Sequence, residues 1–133
     1  ANPGPVFDCP SEGLPTGPIV VLTTAGFDRK GDWEERLKEF GIGVSAVRTA
    51  MTGNPGLHSQ QTFVIEKGFE IDAITVTFWR DFAATRDFAY SPGIHKDLMA
   101  RQRAGELADR TSFTRMVVEV AEGTWFGRDP MSW

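Results

Sequence analysis

The sequence predicts an α+β fold of ferredoxin-like type, an antiparallel sheet with helices on one face, and three observations predict it. Short β-branched segments alternate with amphipathic ones in the order β-α-β-(β)-β-α-α-β. The segment Ile71–Trp79 (IDAITVTFW) is apolar on both faces and therefore belongs inside a sheet. The helical segments are enough to cover only one face of that sheet. Its other apolar face calls for a second copy of the chain, a homodimer whose two sheets face each other.

Each element has its own local warrant. Residues 1–17 hold four of the eight prolines and read as an extended arm, which Val6, Phe7 and Leu14 can dock onto the body formed by residues 18–133. Ile19–Thr24 is a β-branched strand between Pro18 and Gly26. Asp32 opens a helix as N-cap, with Glu35 completing a capping-box pattern. Trp33, Leu37 and Phe40 share one face of that helix, and Gly41 and Gly43 are expected to stop it. Val44–Met51 then reads as a second strand, with Val44, Ala46, Arg48 and Ala50 on one side. Thr52–Ser59 is turn-rich and reads as a loop.

Thr62–Ile65 forms a short strand before a turn at Lys67-Gly68, and Ile71–Trp79 is the central strand. Asp81 caps the next helix, whose core side holds Phe82, Thr85, Phe88 and Ala89. Pro92 and Gly93 interrupt it, and a further helix runs from His95 to about Ala108. Phe113–Ala121 is the last strand, with Met116, Val118 and Val120 on one face. Glu122–Trp133 is an aromatic, loop-like tail.

The totals bound the function. A chain of 133 residues builds one core. A net charge of -4 with both signs interspersed leaves no footprint for nucleic acid. No apolar run approaches the roughly 20 residues needed to span a bilayer, and the apolar Ile19–Leu22 follows prolines and acids, so a secretory leader is not expected. Cys9 is the single cysteine, which rules out an internal disulfide and fits a reducing, cytoplasmic setting. Ten Phe and four Trp point to a large apolar cavity, a large interface, or both.

Chemistry-bearing residues are sparse. His58 and His95 are the two histidines. His95 stands in the first turn of its helix, where the partial positive charge disfavours a protonated ring and leaves it able to bind a metal. Met99 and Gln102 follow at i+4 and i+7 in a stripe that can press on a flat cofactor. The plainer alternative is a capping or core histidine bonded to backbone. Zinc wants three or four Cys, His or carboxylate ligands, whereas haem needs a single axial histidine, so the choice is haem or no metal. His58 is either a mobile acid/base at a pocket mouth or a solvated side chain. Arg48, Arg80, Arg86 and Arg115 can meet carboxylates, or they form ordinary surface ion pairs. Gly41-Ile42-Gly43 follows a helix and is no dinucleotide fingerprint, and no P-loop or nucleophile motif occurs.

The second half of the chain resembles the spheroidene monooxygenase family of the dimeric α/β-barrel superfamily. The resemblance is carried by Thr77-Phe78-Trp79, by Phe88-Ala89-Tyr90 followed by His95, and by Phe113-Thr114-Arg115. Glu122-Gly123-Thr124-Trp125, Gly127 and Asp129-Pro130 extend it over roughly residues 70–130. It implies a homodimeric oxidative enzyme with haem b, His95 as axial iron ligand, and a pocket involving Phe78, Phe88, Tyr90, Met99 and Met116. Arg48 or Arg115 would pair a propionate or polarise bound oxygen. Ser91-Pro92-Gly93 is inserted where the family has a charged residue, and the chain is shorter, so a small specialised metabolite is expected rather than a carotenoid. The superfamily also includes haem-dependent dehydratases and cofactor-free quinone-forming monooxygenases. A cofactor-free monooxygenase or cyclase, with Trp79, Tyr90 and His58 handling an aromatic substrate, is therefore the second reading. A ligand-binding protein without activity is the third.

Overall fold

The computed structural model of the chain describes residues 16–90, 93–105 and 107–131, except for the side chains of Tyr90, Ile94, His95, Lys96 and Arg103. The arm expected over residues 1–17 lies outside the described residues but for its last two. Seven elements follow: β1 (Ile19–Asp28), α1 (Trp33–Met51), β2 (Leu57–Lys67), β3 (Glu70–Trp79), α2 (Phe82–Tyr90), α3 (Ile94–Arg103) and β4 (Arg110–Val117). The strands form one antiparallel sheet in the order β2-β3-β1-β4, which is the expected ferredoxin-like α+β architecture.

β1 sits inside the sheet, paired with β3 from Ile19↔Trp79 to Asp28↔Glu70 and with β4 from Ile19↔Val117 to Gly26↔Arg110. Side chains alternate across a strand, so this register sorts residues strictly between two faces. Ile19, Val21, Ala25 and Phe27 are buried on the helix side. Ile19 and Val21 pack with Val47, Met51, Trp79 and Ala84, supported by Leu57, Phe82, Phe88 and Leu98. Ala25 and Phe27 pack with Ala108, supported by Leu37 and Phe40. The indole Nε1 of buried Trp79 donates to Thr77 Oγ1 at 2.7 Å, two residues along the same face. The opposite face presents Val20, Leu22, Ile74, Val76, Phe78 and Met116, all half-buried, with Phe63 and Ile65 exposed beside them. No helix covers it, as expected.

Four expectations are corrected. Gly41 and Gly43 do not stop α1, which runs through them to Met51, and Val44–Met51 is helix rather than strand. The stripe Trp33, Leu37, Phe40, Val44, Val47, Met51 keeps helical spacing throughout, and each member is half-buried or buried. Burial of that whole stripe outweighs the penalty of roughly 1 kcal/mol for each glycine. Gly43 also has a packing reason, since a Cβ there would lie 2.5 Å from Leu98 Cδ1 of α3. A Cβ on Gly41 would meet nothing. Second, β2 begins at Leu57, so His58 and Ser59 are strand rather than loop. Third, Asp32 makes no capping hydrogen bond through its side chain; its Oδ1 accepts from Arg36 Nε at 2.9 Å. Fourth, α3 ends at Arg103 and β4 starts at Arg110, earlier than the pattern suggested, because Gln102 bonds both backbone groups of Ala108 and turns the chain.

One polar cluster ties the helix layer to the sheet. Arg36 of α1 donates to the carbonyl of fully buried Leu107 at 2.8 Å and pairs with Asp109 at 3.4 Å. Asp109 accepts from the Asp28 amide at 2.8 Å, while its own amide donates to Gly26 O at 2.9 Å. The Asp28 amide, then the nearby Arg36 guanidinium, holds the Asp109 carboxyl below the usual carboxylate range.

Two predictions follow from this packing. Gly41→Ala is expected to raise thermal stability by up to about 1 kcal/mol, whereas Gly43→Ala gains less, because Leu98 Cδ1 must turn aside to admit the new methyl group; equal gains in thermal unfolding would contradict the close approach. Asp109 has a folded pKa below its unfolded one, so its stabilisation is full above about pH 4 and is lost as pH falls through the folded value. Asp109→Asn should therefore unfold more easily at neutral pH, and its deficit should shrink as pH drops below about 4. A deficit constant with pH, followed by circular dichroism, contradicts the ion-pair account.

Candidate active site

A cleft of about 310 Å³ opens at the outer edge of β2, within the roughly 300–1,000 Å³ typical of small-molecule sites. Thr52, Gly53 and Asn54 form one wall, Leu57 to Gln61 the floor, and Trp125, Phe126, Arg128 and Pro130 the other wall. The first wall is fixed locally. Asn54 Oδ1 accepts from the Gly56 amide at 2.9 Å, the Arg80 amide donates to Gly56 O at 2.7 Å, and a Cβ on Gly56 would lie 2.4 Å from Ala84 Cβ of α2. Only glycine lets this loop rest against the helix.

The floor is irregular where it matters. Leu57 faces Trp79 and Ser59 faces Phe78, so His58 is the extra residue of a β-bulge. A bulge re-aims its side chain out of the strict alternation. Half-buried His58 lines the cleft for that reason. Gln60 donates through Nε2 to Arg48 O at 3.3 Å, yet its Oε1 is buried without a partner. A buried acceptor left unmet costs about 1–3 kcal/mol.

The second wall is a two-residue turn. The Trp125 amide donates to Arg128 O at 2.8 Å and the Arg128 amide to Trp125 O at 3.0 Å. Phe126 and Gly127 between them have φ of 51° and 79°, the geometry of a type I′ turn. Glycine accepts this freely, whereas a phenylalanine there costs about 1–2 kcal/mol. The Trp125 ring meets Phe63 and Phe78 edge-on at 6.2 and 5.3 Å, and Ser59 Oγ donates to Pro130 O at 2.8 Å. The tail is thereby tied to the uncovered face of the sheet.

Of the candidate site residues read from the sequence whose side chains are described, His58 alone lines this cleft, together with Trp125 and Pro130 of the segment that carried the resemblance. Arg48 lies on α1 with an exposed side chain, and its carbonyl is what serves the cleft, accepting from the Thr52 amide, Thr52 Oγ1 and Gln60. Arg115 lies on β4 over the rings of Phe82 at 4.7 Å and Phe113 at 5.8 Å. Arg80 and Arg86 form the plain neighbouring ion pairs with Asp81 and Asp87. Phe88 packs on Trp79 at 5.7 Å on the helix side, while Phe78 and Met116 lie on the opposite face. Met99 on α3 is 38% exposed. The side chains of His95 and Tyr90 lie outside the described residues. Among those described, no three His, Cys, Asp or Glu side chains group as metal ligands, and no helix is long and apolar enough to cross a membrane.

Gln60 and Phe126 were missed as site residues. Phe126-Gly127 between Trp125 and Arg128 was legible as a hairpin turn through its glycine. Nothing in the sequence marks Gln60.

No family model matches the chain, and no curated protein matches it. Solved structures do. Rv0793 from Mycobacterium tuberculosis is 18% identical over 80% of this chain and 99% of its own, with a TM-score of 0.62. SnoaB, a cofactor-independent oxygenase from Streptomyces nogalater, is 13% identical in its mutant form over 79% and 96%, with a TM-score of 0.59. A protein from Caulobacter crescentus, provisionally described as an antibiotic biosynthesis monooxygenase, is 13% identical over 77% and 90%, with a TM-score of 0.60. The likeness is one of fold: the chain shares the ferredoxin-like α+β fold of these proteins.

Proposed function

We propose that the chain is a cofactor-independent monooxygenase that oxidises a small aromatic molecule in the β2-edge cleft and works as a homodimer. The reading is carried by what that cleft gathers: an imidazole re-aimed by a bulge, the amide side chain of Gln60 beside it, and an aromatic wall. The fold shared with SnoaB, a cofactor-independent oxygenase, supports it.

The chemistry closes without an added reductant. The substrate class is a hydroxylated ring system with a CH2 made acidic by a carbonyl conjugated to it through the ring. His58 takes a proton from that CH2 as general base. The carbanion gives an electron to O2, the resulting radicals join in a C–O bond, and loss of water leaves a new carbonyl. One oxygen atom of O2 stays in the product, and the other leaves as water with the two substrate hydrogens. Oxidation of CH2 to C=O supplies the four electrons that O2 consumes. Gln60 lines the cleft floor beside His58, and its amide orients the substrate there. Trp79, assigned to the substrate from the sequence, is instead buried and bonded to Thr77, and acts as core.

Haem b, which the resemblance implies, does not fit the residues offered for it. Phe78 and Met116 lie on one face of the sheet and Phe88 on the other, so within one subunit they cannot enclose one macrocycle. The Arg115 guanidinium is engaged with two rings.

With 1,8-dihydroxyanthrone as probe, the purified protein should consume oxygen and form the quinone while showing no Soret absorption. His58→Ala should lower kcat by about 10²–10⁴-fold. A Soret band that disappears in His95→Ala would overturn the reading in favour of haem.

The uncovered sheet face supports the homodimer, because the half-buried Val20, Leu22, Ile74, Val76, Phe78 and Met116 lie together on it and no described helix packs over them. In sedimentation, the parent is expected at twice the chain mass and Val76→Lys at the chain mass. A parent that sediments as a monomer contradicts the assembly.

A further inference from the structure

Phe126 combines two unfavourable features. Its φ of 51° is a conformation that suits glycine or asparagine, and a bulky residue there is a true outlier. Its side chain is also 89% exposed, so the ring gains almost no burial in return. The turn that holds it is not free to drift. Trp125 is wedged against Phe63 and Phe78, and Ser59 holds the carbonyl of Pro130, so both ends of the tail segment are anchored to the sheet. The tip therefore stands at a set position beside the cleft, across from Thr52–Asn54. A strained, water-exposed aromatic ring on an anchored turn has its use in what it meets. The ring stands over a concave site lined also by His58 and Gln60, which fits a small ligand that enters it rather than a partner's flat surface.

We infer that Phe126 is a specificity-determining residue, whose ring stacks on the planar ring of the bound substrate and closes the open side of the cleft. The inference rests on the cleft being the substrate site. It explains the composition of the turn: the stacking contact occupies the position that turn geometry alone gives to asparagine.

The test uses the full chain and 1,8-dihydroxyanthraquinone, a non-reactive planar probe, titrated by tryptophan fluorescence. Phe126→Asn is expected to raise the melting temperature by a few degrees while weakening the probe's Kd about three- to tenfold. Phe126→Tyr should keep the parent values of both. If Phe126→Asn melts lower than the parent, binds the probe equally well, or changes the sedimenting mass, the inference is overturned. Gln60→Ala distinguishes the two levels of the argument. Weaker binding in Gln60→Ala but not in Phe126→Asn leaves the cleft standing and removes the role of Phe126. Unchanged binding in both removes the cleft as well.

Discussion

The double pairing of β1 is the constraint on which the rest of the molecule depends. Because β1 is bonded to β3 on one side and β4 on the other, its alternation is imposed on the whole sheet. Ile19, Val21, Ala25 and Phe27 gather the helices, and their in-between neighbours Val20 and Leu22 are committed to the other face. This one register decides which residues can share a pocket. It separates Phe78 and Met116 from Phe88, although all three looked equivalent as apolar residues of the second half. It also leaves an apolar surface whose burial requires something outside the chain's own described elements.

The cleft arises where that regularity is broken. The bulge at His58 takes one side chain out of the alternation, and a glycine loop and a returning tail close around it. A functional group placed this way does not compete with the core for space. It rests on rigid supports: Asn54 and Gly56 on one side, Trp125 and Pro130 on the other. Gln60, whose buried Oε1 lacks a partner among the described residues, and the left-handed Phe126 both line this one cleft.

Most of the fold was legible. The β3 segment declared itself through apolar residues on both faces, and Asp81 acts as the cap it was read to be, accepting from the Ala84 amide at 2.8 Å. The break at Gly93 is real, with a φ of 138° that side chains rarely adopt. The error at Gly41 and Gly43 has a plain cause. Glycine is the usual helix stop, and the reading gave that local signal more weight than the apolar stripe continuing at helical spacing to Met51. With the helix cut short, Arg48 was assigned to a strand and His58 to a loop. The site was less legible, because His58 owes its position to a register shift of one residue and Gln60 owes its significance to a missing partner.

By itself the sequence determined the fold class, the order of most elements and the presence of an uncovered apolar face. Those follow from periodicity and composition, which act over a few residues and survive errors at element ends. The tertiary structure alone decided where the cleft lies, that Gly43 serves a helix contact, and that Arg36 and Asp109 join the two layers. Each of these depends on distances between residues far apart along the chain, such as Arg36 with Leu107 and Ser59 with Pro130. No local pattern encodes such a distance. It exists only once β1 has been paired on both sides.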